Sequence, residues 1–343
     1  MDSSSRVGSA VSGVAVLAGL GSALPAQVVT NHELARRLDT SDEWILSRTG
    51  IRQRHVVAPG QSTGDLAVEA GARALESAGT DRADLVVLAT TTPDHLDPAT
   101  APQVAARLGL GSVPAFDLGA GCAGFVYGLS FASAMITSGT VGSVLLIGAD
   151  TCSTIVDPED RSTVPIFGDG AGAVWMRVGD PAENGAIGPV DLGSDGELAE
   201  FIMIAAGGSR QRSAGGPTAD AGNYLTMNGP LVFKNAVERM SSSSLAVLER
   251  AEWKIDEVDR FVGHQANIRI LDAIARHLDL PRERLIVNID RVGNTGAASI
   301  PLALAQAAGD GFLTPGHRLL LTSFGSGAAW GSAVLTWPDV NVR

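Results

Sequence analysis

Short apolar runs alternate with helical patterns along nearly the whole chain, and that alternation limits the fold more than any other feature. Residues 85–90, 113–118, 144–149 and 171–178 read as strands, as do 187–192, 260–263, 285–287, 319–324 and 328–337. Runs such as 85–90 and 113–118 are largely apolar, as expected of strands buried between helices. Between the strands, residues 62–78, 101–108, 125–136, 231–250, 268–278 and 297–308 read as helices. This is α/β grammar. Thr30-Asn-His-Glu opens a short helix with a capping box. Ser41-Asp-Glu-Trp opens another, and Gly79 stops the helix begun at Ser62. The order is similar on either side of residue 182. Duplicated halves are therefore expected at 13–181 and 182–343, behind a Ser/Gly-rich tail at 1–12.

The chain of 343 residues carries 41 Gly, so helices should pack closely on sheets. Its net charge of −12 opposes nucleic acid and anionic membranes as partners. No stretch approaches the roughly 20 apolar residues needed to span a bilayer. The segment 13–26 has the small apolar residues of a secretory signal. Only Arg6 precedes it and glycines interrupt it, so it reads as a first core strand. Two cysteines are too few for a disulfide framework and lack metal-ligand spacing. No metal is expected, and a reducing cytoplasm is the expected compartment.

One of those cysteines has a special position. Asp117-Leu-Gly-Ala-Gly-Cys-Ala-Gly-Phe places Cys122 between the strand at 113–118 and the helix that follows. The small residues around it leave room for a substrate to reach the sulfur. A helix N-terminus presents unpaired N–H groups and partial positive charge. That field is expected to lower the thiol pKa from about 8.5 into a range of roughly 3.5–7.5. The alternative is a buried structural cysteine. Cys152 follows a strand with no such assembly around it, and its role stays open.

His264 closes the strand 260–263 just before a helix, at the end of a sheet where α/β sites gather. Asn294 lies in Arg291-Val-Gly-Asn-Thr-Gly-Ala-Ala-Ser, read as another strand-to-helix turn. A helix-capping role for the first and a left-handed turn role for the second remain alternatives. Together, Cys122, His264 and Asn294 suit nucleophilic acyl transfer. His and Asn side by side also offer two donors to a thioester carbonyl, as enolate chemistry needs. The Gly-rich turn at Ser326 could turn a backbone N–H toward the site, pairing with that of Cys122 as an oxyanion hole. His32, His55, His95, His277 and His317 read as solvated.

Six segments in this order resemble the thiolase-fold condensing enzymes, specifically β-ketoacyl-acyl-carrier-protein synthase III. They are Ser41-Asp-Glu-Trp-Ile-Leu-Ser-Arg-Thr-Gly-Ile-Arg, Gly121-Cys-Ala-Gly-Phe, Phe167-Gly-Asp-Gly-Ala-Gly-Ala, His264-Gln-Ala-Asn, Gly293-Asn-Thr-Gly-Ala-Ala-Ser and Phe324-Gly-Ser-Gly-Ala-Ala-Trp-Gly-Ser. The resemblance covers about residues 13–340 and implies a five-layered αβαβα fold with two pseudo-duplicated halves, forming a homodimer. By the same resemblance Cys122 is the acylated nucleophile, and His264 and Asn294 promote decarboxylation of a malonyl-carrier protein. Trp44 and Arg161 match positions that sandwich the adenine of coenzyme A, and Arg48 one near its phosphates. Lys234, Arg269 and Arg276 match basic positions near the active-site mouth, where an acidic carrier protein would dock.

The implied reaction is a decarboxylative Claisen condensation of a short acyl-CoA with malonyl-carrier protein. It needs no cofactor beyond the coenzyme A thioester that serves as substrate. The chain departs from the family pattern at Ser326, Gly296 and Pro230. Asp94 and Asp97 stand in the 92–98 segment, which in the family crosses the dimer to shape the acyl pocket. These departures leave the starter open. The alternatives are a ketosynthase priming a polyketide with a longer or branched acyl group, and an acyltransferase that does not condense.

Overall fold

A computed structural model describes residues 13–215 and 220–341. The tail expected at 1–12 lies outside the described residues. The first half runs β1 (Val14–Ala23), β2 (Gln27–Thr30), α1 (Asn31–Leu34), α2 (Asp42–Thr49), β3 (Gln53–Val56), α3 (Thr63–Ser77), β4 (Val86–Ala89), α4 (Ala101–Arg107), β5 (Ala115–Leu118), α5 (Gly124–Thr137), β6 (Ser143–Thr151) and β7 (Asp169–Gly179). The second runs β8 (Ile187–Ser194), β9 (Ile202–Ile204), α6 (Ser209–Ser213), β10 (Leu225–Met227), α7 (Gly229–Arg250), β11 (Arg260–Gly263), α8 (Ile268–His277), α9 (Ile289–Val292), α10 (Ser299–Gly309), β12 (Arg318–Gly325) and β13 (Ala329–Thr336).

Local chemistry sets the helix starts. Thr30 and Ser62 form the caps of α1 and α3 with reciprocal bonds from Glu33 and Asp65, and Ser41 caps α2. Such caps contribute about 1 kcal/mol each. Gly79 follows α3 at φ +65°.

The sheets correspond strand for strand. The first has the order β5-β4-β6-β7-β1, parallel across β5, β4 and β6 and antiparallel from β6 to β1. The second has the order β11-β12-β13-β8, parallel across β11 and β12 and antiparallel thereafter. Leu285 completes the match through a parallel bridge to Phe261 of β11, in the place β5 takes in the first sheet. The strand expected at 285–287 is therefore a single bridge. The buried Gln265 side chain occupies its continuation, donating to the Ile286 carbonyl and accepting from the Asn288 N–H.

Helices α5 and α10 lie between the sheets, α3 and α4 cover the outer face of the first, and α7 and α8 pack beyond the second. This is the five-layered αβαβα arrangement of the thiolase fold. Phe125, Leu129, Ile300 and Leu304 fill the central layer against both sheets. Close packing needs the glycines. A Cβ on Gly128 would strike Leu146, and one on Gly148 would strike the Ala297 backbone.

One expectation fails here. The run 113–118 was expected to be buried, yet each residue of β5 keeps partial exposure. It is the edge strand of its sheet. Phe116 packs edge-on against Phe131 of α5, with centroids 5.3 Å apart, and stays partly exposed.

Candidate active site

Corresponding turns from the two halves converge on one cleft. Thr91 follows β4, Cys122 follows β5 and Cys152 follows β6. His264 follows β11, Asn294 lies beyond the Leu285 bridge, and Ser326 follows β12. All six line a cleft of about 960 Å³. Cys152, whose role the sequence left open, shares the site. Asn294 was expected directly after a strand. The one-turn helix α9 precedes it, because the chain leaves the sheet after Leu285.

The Cys122 turn is held against the Ser326 turn, backbone to backbone. A Cβ on Gly325 would fall 2.9 Å from the Ala123 nitrogen and closer still to that of Cys122. A Cβ on Gly121 would fall 2.6 Å from the Ser326 nitrogen. Glycine at both positions lets the Cys122 and Ser326 turns pack backbone against backbone.

The thiol itself behaves contrary to expectation. Burial, and then the Asp150 carboxylate, push the Cys122 pKa up to about 12, while its own backbone N–H opposes them. Desolvation outweighs the N-terminal field of α5. The thiol of Cys152 is also pushed well above its ordinary value, first by burial and then by Asp150.

His264 is buried, and its backbone N–H donates to the Thr322 carbonyl at 2.8 Å. Burial lowers its pKa to about 4, so the ring is neutral at pH 7. Its buried Nδ1 has no hydrogen-bond partner among the described residues. An unpaired acceptor there is more tolerable than an unpaired N–H, which puts the proton on Nε2. Gln265, fully bonded, fixes the segment that carries the ring.

Asn294 is clamped to the first half of the chain. Its N–H donates to the Ile166 carbonyl at 2.9 Å, and its carbonyl accepts from the Gly168 N–H at 2.9 Å. Its Oδ1 accepts from the Gly296 N–H at 3.0 Å. With Oδ1 engaged, Nδ2 is the group left to donate into the cleft.

At the mouth, the Arg48 and Arg161 guanidiniums lie 5.1 and 5.2 Å from the Trp44 ring centroid. Trp44 and Arg48 line the cleft; Arg161 stands outside the lining and pairs with Asp39 at 2.8 Å. Arg269 and Arg276, both on α8, line the cleft mouth, while Lys234 is exposed beside the lining residue Phe233. Pro230, in the first turn of α7, also lines the cleft. Asp94 turns away from it, accepting from the Gly64 N–H at 2.8 Å at the start of α3. Among the described residues no three His, Cys, Asp or Glu side chains are grouped to hold a metal, and no helix is long and apolar enough to cross a membrane.

Two further histidine expectations need correction. His55 and His317 are half-buried and engaged, with the Pro25 carbonyl at 2.6 Å and the Thr314 hydroxyl at 2.7 Å. Sequence reasoning also missed Asn267 and Asp150. Asn267 caps α8 and donates to the Arg48 carbonyl at 3.0 Å, joining α8 to α2. Its place before Ile268 carried the usual cap signal. Asp150 lies at the end of an apolar strand and gave none.

Layered sheets with a cleft between corresponding turns define the class: a thiolase-fold condensing enzyme of the acyltransferase kind. Residues 116–196 match the family model described as 3-oxoacyl-[acyl-carrier-protein (ACP)] synthase III, and residues 248–337 match its C-terminal model. β-Ketoacyl-[acyl-carrier-protein] synthase III 5 of Streptomyces coelicolor is 61% identical over 330 residues, covering 96% of this chain and 99% of that protein. The crystal structure of 3-oxoacyl-(acyl carrier protein) synthase III from Pseudomonas aeruginosa PAO1 is 51% identical with a TM-score of 0.89, covering 96% of this chain and 99% of the other. The priming β-ketosynthase of the R1128 polyketide pathway superimposes with a TM-score of 0.91 at 32% identity, covering 98% of this chain and 100% of the other. The chain belongs to the β-ketoacyl-[acyl-carrier-protein] synthase III family.

Proposed function

We propose that this enzyme condenses an acyl-CoA starter with malonyl-acyl carrier protein through an acyl-Cys122 intermediate. The convergence of Cys122, a neutral His264 and the Asn294 amide in one cleft carries the reading. In the first half-reaction the Cys122 sulfur attacks the thioester carbonyl. The oxyanion is held by the Cys122 and Ser326 N–H groups, and coenzyme A departs with the thiol proton. In the second, malonyl-carrier protein binds and its C–CO₂⁻ bond breaks. The electron pair becomes an enolate whose oxygen accepts from His264 Nε2–H and Asn294 Nδ2–H. The enolate carbon attacks acyl-Cys122, the new C–C bond forms, and the Cys122 sulfur leaves as thiolate to regain a proton.

Trp44, Arg48 and Arg161 form the coenzyme A seat, the indole offering a face for adenine and the guanidiniums a stack or a phosphate contact. Lys234, Arg269 and Arg276 receive the carrier protein at the mouth. The open edge of β5, with Phe116 and Leu118 half-exposed, fits a second copy of the chain in a homodimer. The two free cysteines suit a cytoplasmic home.

Mass spectrometry after incubation with acetyl-CoA should find one acyl group, on the peptide holding Cys122. Release of labelled CO₂ from malonyl-carrier protein distinguishes condensation from simple acyl transfer. Acylation of a Cys122→Ala variant at another residue would refute the nucleophile. His264→Ala or Asn294→Ala should cost about 10²–10³ in condensation while acyl-Cys122 still forms.

A further inference from the structure

The reaction as written makes no use of Asp150, the fully buried carboxyl at the end of β6. No basic side chain pairs with it among the described residues. Neutral donors hold it instead. Oδ1 accepts from the Thr91 N–H at 2.7 Å, the Thr91 hydroxyl at 2.8 Å and the Thr90 and Thr92 hydroxyls at 3.1 Å each. Oδ2 accepts from the Ala297 N–H at 2.7 Å. A buried carboxyl with no countercharge is expensive. A fold that needed only to tie these turns together could use a neutral side chain at less cost.

The bonds lead to the reacting groups. Ala297 follows Gly296, whose N–H holds Asn294 Oδ1 at 3.0 Å and so directs Nδ2 into the cleft. Gly296 has φ +57°, and a Cβ there would collide with the Asp150 carboxylate, so the turn closes directly over it. On its other side the carboxyl anchors the turn carrying Thr91, a cleft-lining residue of the other half. We infer that Asp150 is a positioning residue for condensation, holding the 294–297 turn so that the Asn294 amide meets the enolate oxygen. This rests on the proposed role of Asn294.

Charge near the nucleophile supplies an independent readout. Cys122, Cys152 and Asp169 are the titratable groups that Asp150 perturbs, and it raises the pKa of each. Replacing its carboxylate by an amide should therefore ease ionisation of Cys122 while loosening Asn294. Obligate donors face both oxygens, so Asp150→Asn must set its NH₂ against one of them. With the amide oxygen kept on the Thr91 N–H, the Ala297 N–H loses its acceptor.

The test separates the two half-reactions in the full-length enzyme. Asp150→Asn should lose condensation tenfold or more, by CO₂ release. Acylation by acetyl-CoA should hold at or above the wild-type rate, and iodoacetamide alkylation of Cys122 should gain at lower pH. In an Asn294→Ala background Asp150→Asn should cost nothing further. Equal loss of both half-reactions, unchanged condensation, or losses that multiply in the double variant would overturn the inference. Should Asp150→Asn fail to fold, Thr90→Val decides. It removes one donor to Oδ1 and should lower condensation about threefold with acylation intact; no change would overturn the inference. If Asn294→Ala alone leaves condensation unchanged, the reading of Asn294 fails, whatever Asp150 does.

Discussion

Gly325→Ala tests the backbone contact that shapes the nucleophile's surroundings. The added Cβ would sit 2.9 Å from the Ala123 nitrogen and nearer still to that of Cys122, whereas ordinary contact begins at 3.4 Å. Both obstacles are backbone atoms, so no side chain can swing aside. The Cys122 turn or the Ser326 turn must retreat by about half an ångström or more. Misplacing reacting groups by about 1 Å costs on the order of 10²-fold, and losing one oxyanion donor costs about 10²–10³. Acylation of Cys122 should therefore fall about a hundredfold. The assay is acetyl transfer from acetyl-CoA, followed by mass spectrometry of the intact protein and by coenzyme A release. Gly119→Ala is the matched control. It lies on the same strand-to-helix connection, and a Cβ there meets nothing within 4 Å. Thermal unfolding of both variants separates a displaced turn from a lost fold. A folded Gly325→Ala enzyme that acylates at the wild-type rate would show that the two turns do not build the oxyanion site.

Three other outcomes follow from the same geometry. Because burial and Asp150 hold Cys122 near 12, its alkylation by iodoacetamide should keep rising with pH beyond 9; a plateau below pH 8 would show that the helix N-terminus prevails after all. His264 binds its proton at about 4 when folded against an ordinary 6.5. Between those values the unfolded chain holds a proton the native state lacks, so acidification from 6.5 to 4 should remove about 3 kcal/mol of stability, at about 1.4 kcal/mol per pH unit. Urea unfolding of His264→Gln should lack that share, and equal slopes in the two proteins would contradict it. Arg269→Glu should raise KM for malonyl-carrier protein severalfold and spare acylation by acyl-CoA, with added salt weakening the wild type more than the variant; equal loss with both substrates would place Arg269 on the coenzyme A route.

Much of this was legible because local rules agreed with the fold. The caps at Thr30 and Ser41 were plain in sequence, and the Gly/Ala-rich connection around Cys122 announced a crowded turn. What failed depended on partners distant in the chain. The run 113–118 is apolar enough for burial, but its edge position is a property of strand order. Residues 285–287 read as a strand until the side chain of Gln265, itself held by the Gly263 carbonyl, takes over the bonds a strand would make. The expected acidity of Cys122 came from its helix alone. Its opponents, burial and Asp150, belong to the assembled cleft. Asp150 shows the limit most clearly, since its donors come from 90–92 and from 297, on the two sides of the duplication.

The duplication also explains how so asymmetric a reaction fits so symmetric a frame. The turn after the second strand of each sheet carries Thr91 in one half and His264 in the other. The turn joining β6 to β7 carries Cys152, and the turn joining β12 to β13 carries Ser326. Cys122 is matched by Asn294, one position holding a thiol and its counterpart an amide. On the proposed mechanism the first half offers the acyl group its attachment and one oxyanion N–H, and the second offers the other N–H and the donors for the enolate oxygen. Such a division works only if the halves cannot drift apart. Bonds that cross between them enforce this: Asn294 with Ile166 and Gly168, Asp150 with Ala297, and Gly325 pressed on Cys122. Each ties a chemical group of one half to the backbone of the other. The loss of any one should therefore register first in rate, since the rest of the core, Leu129 and Ile300 included, still holds the layers together.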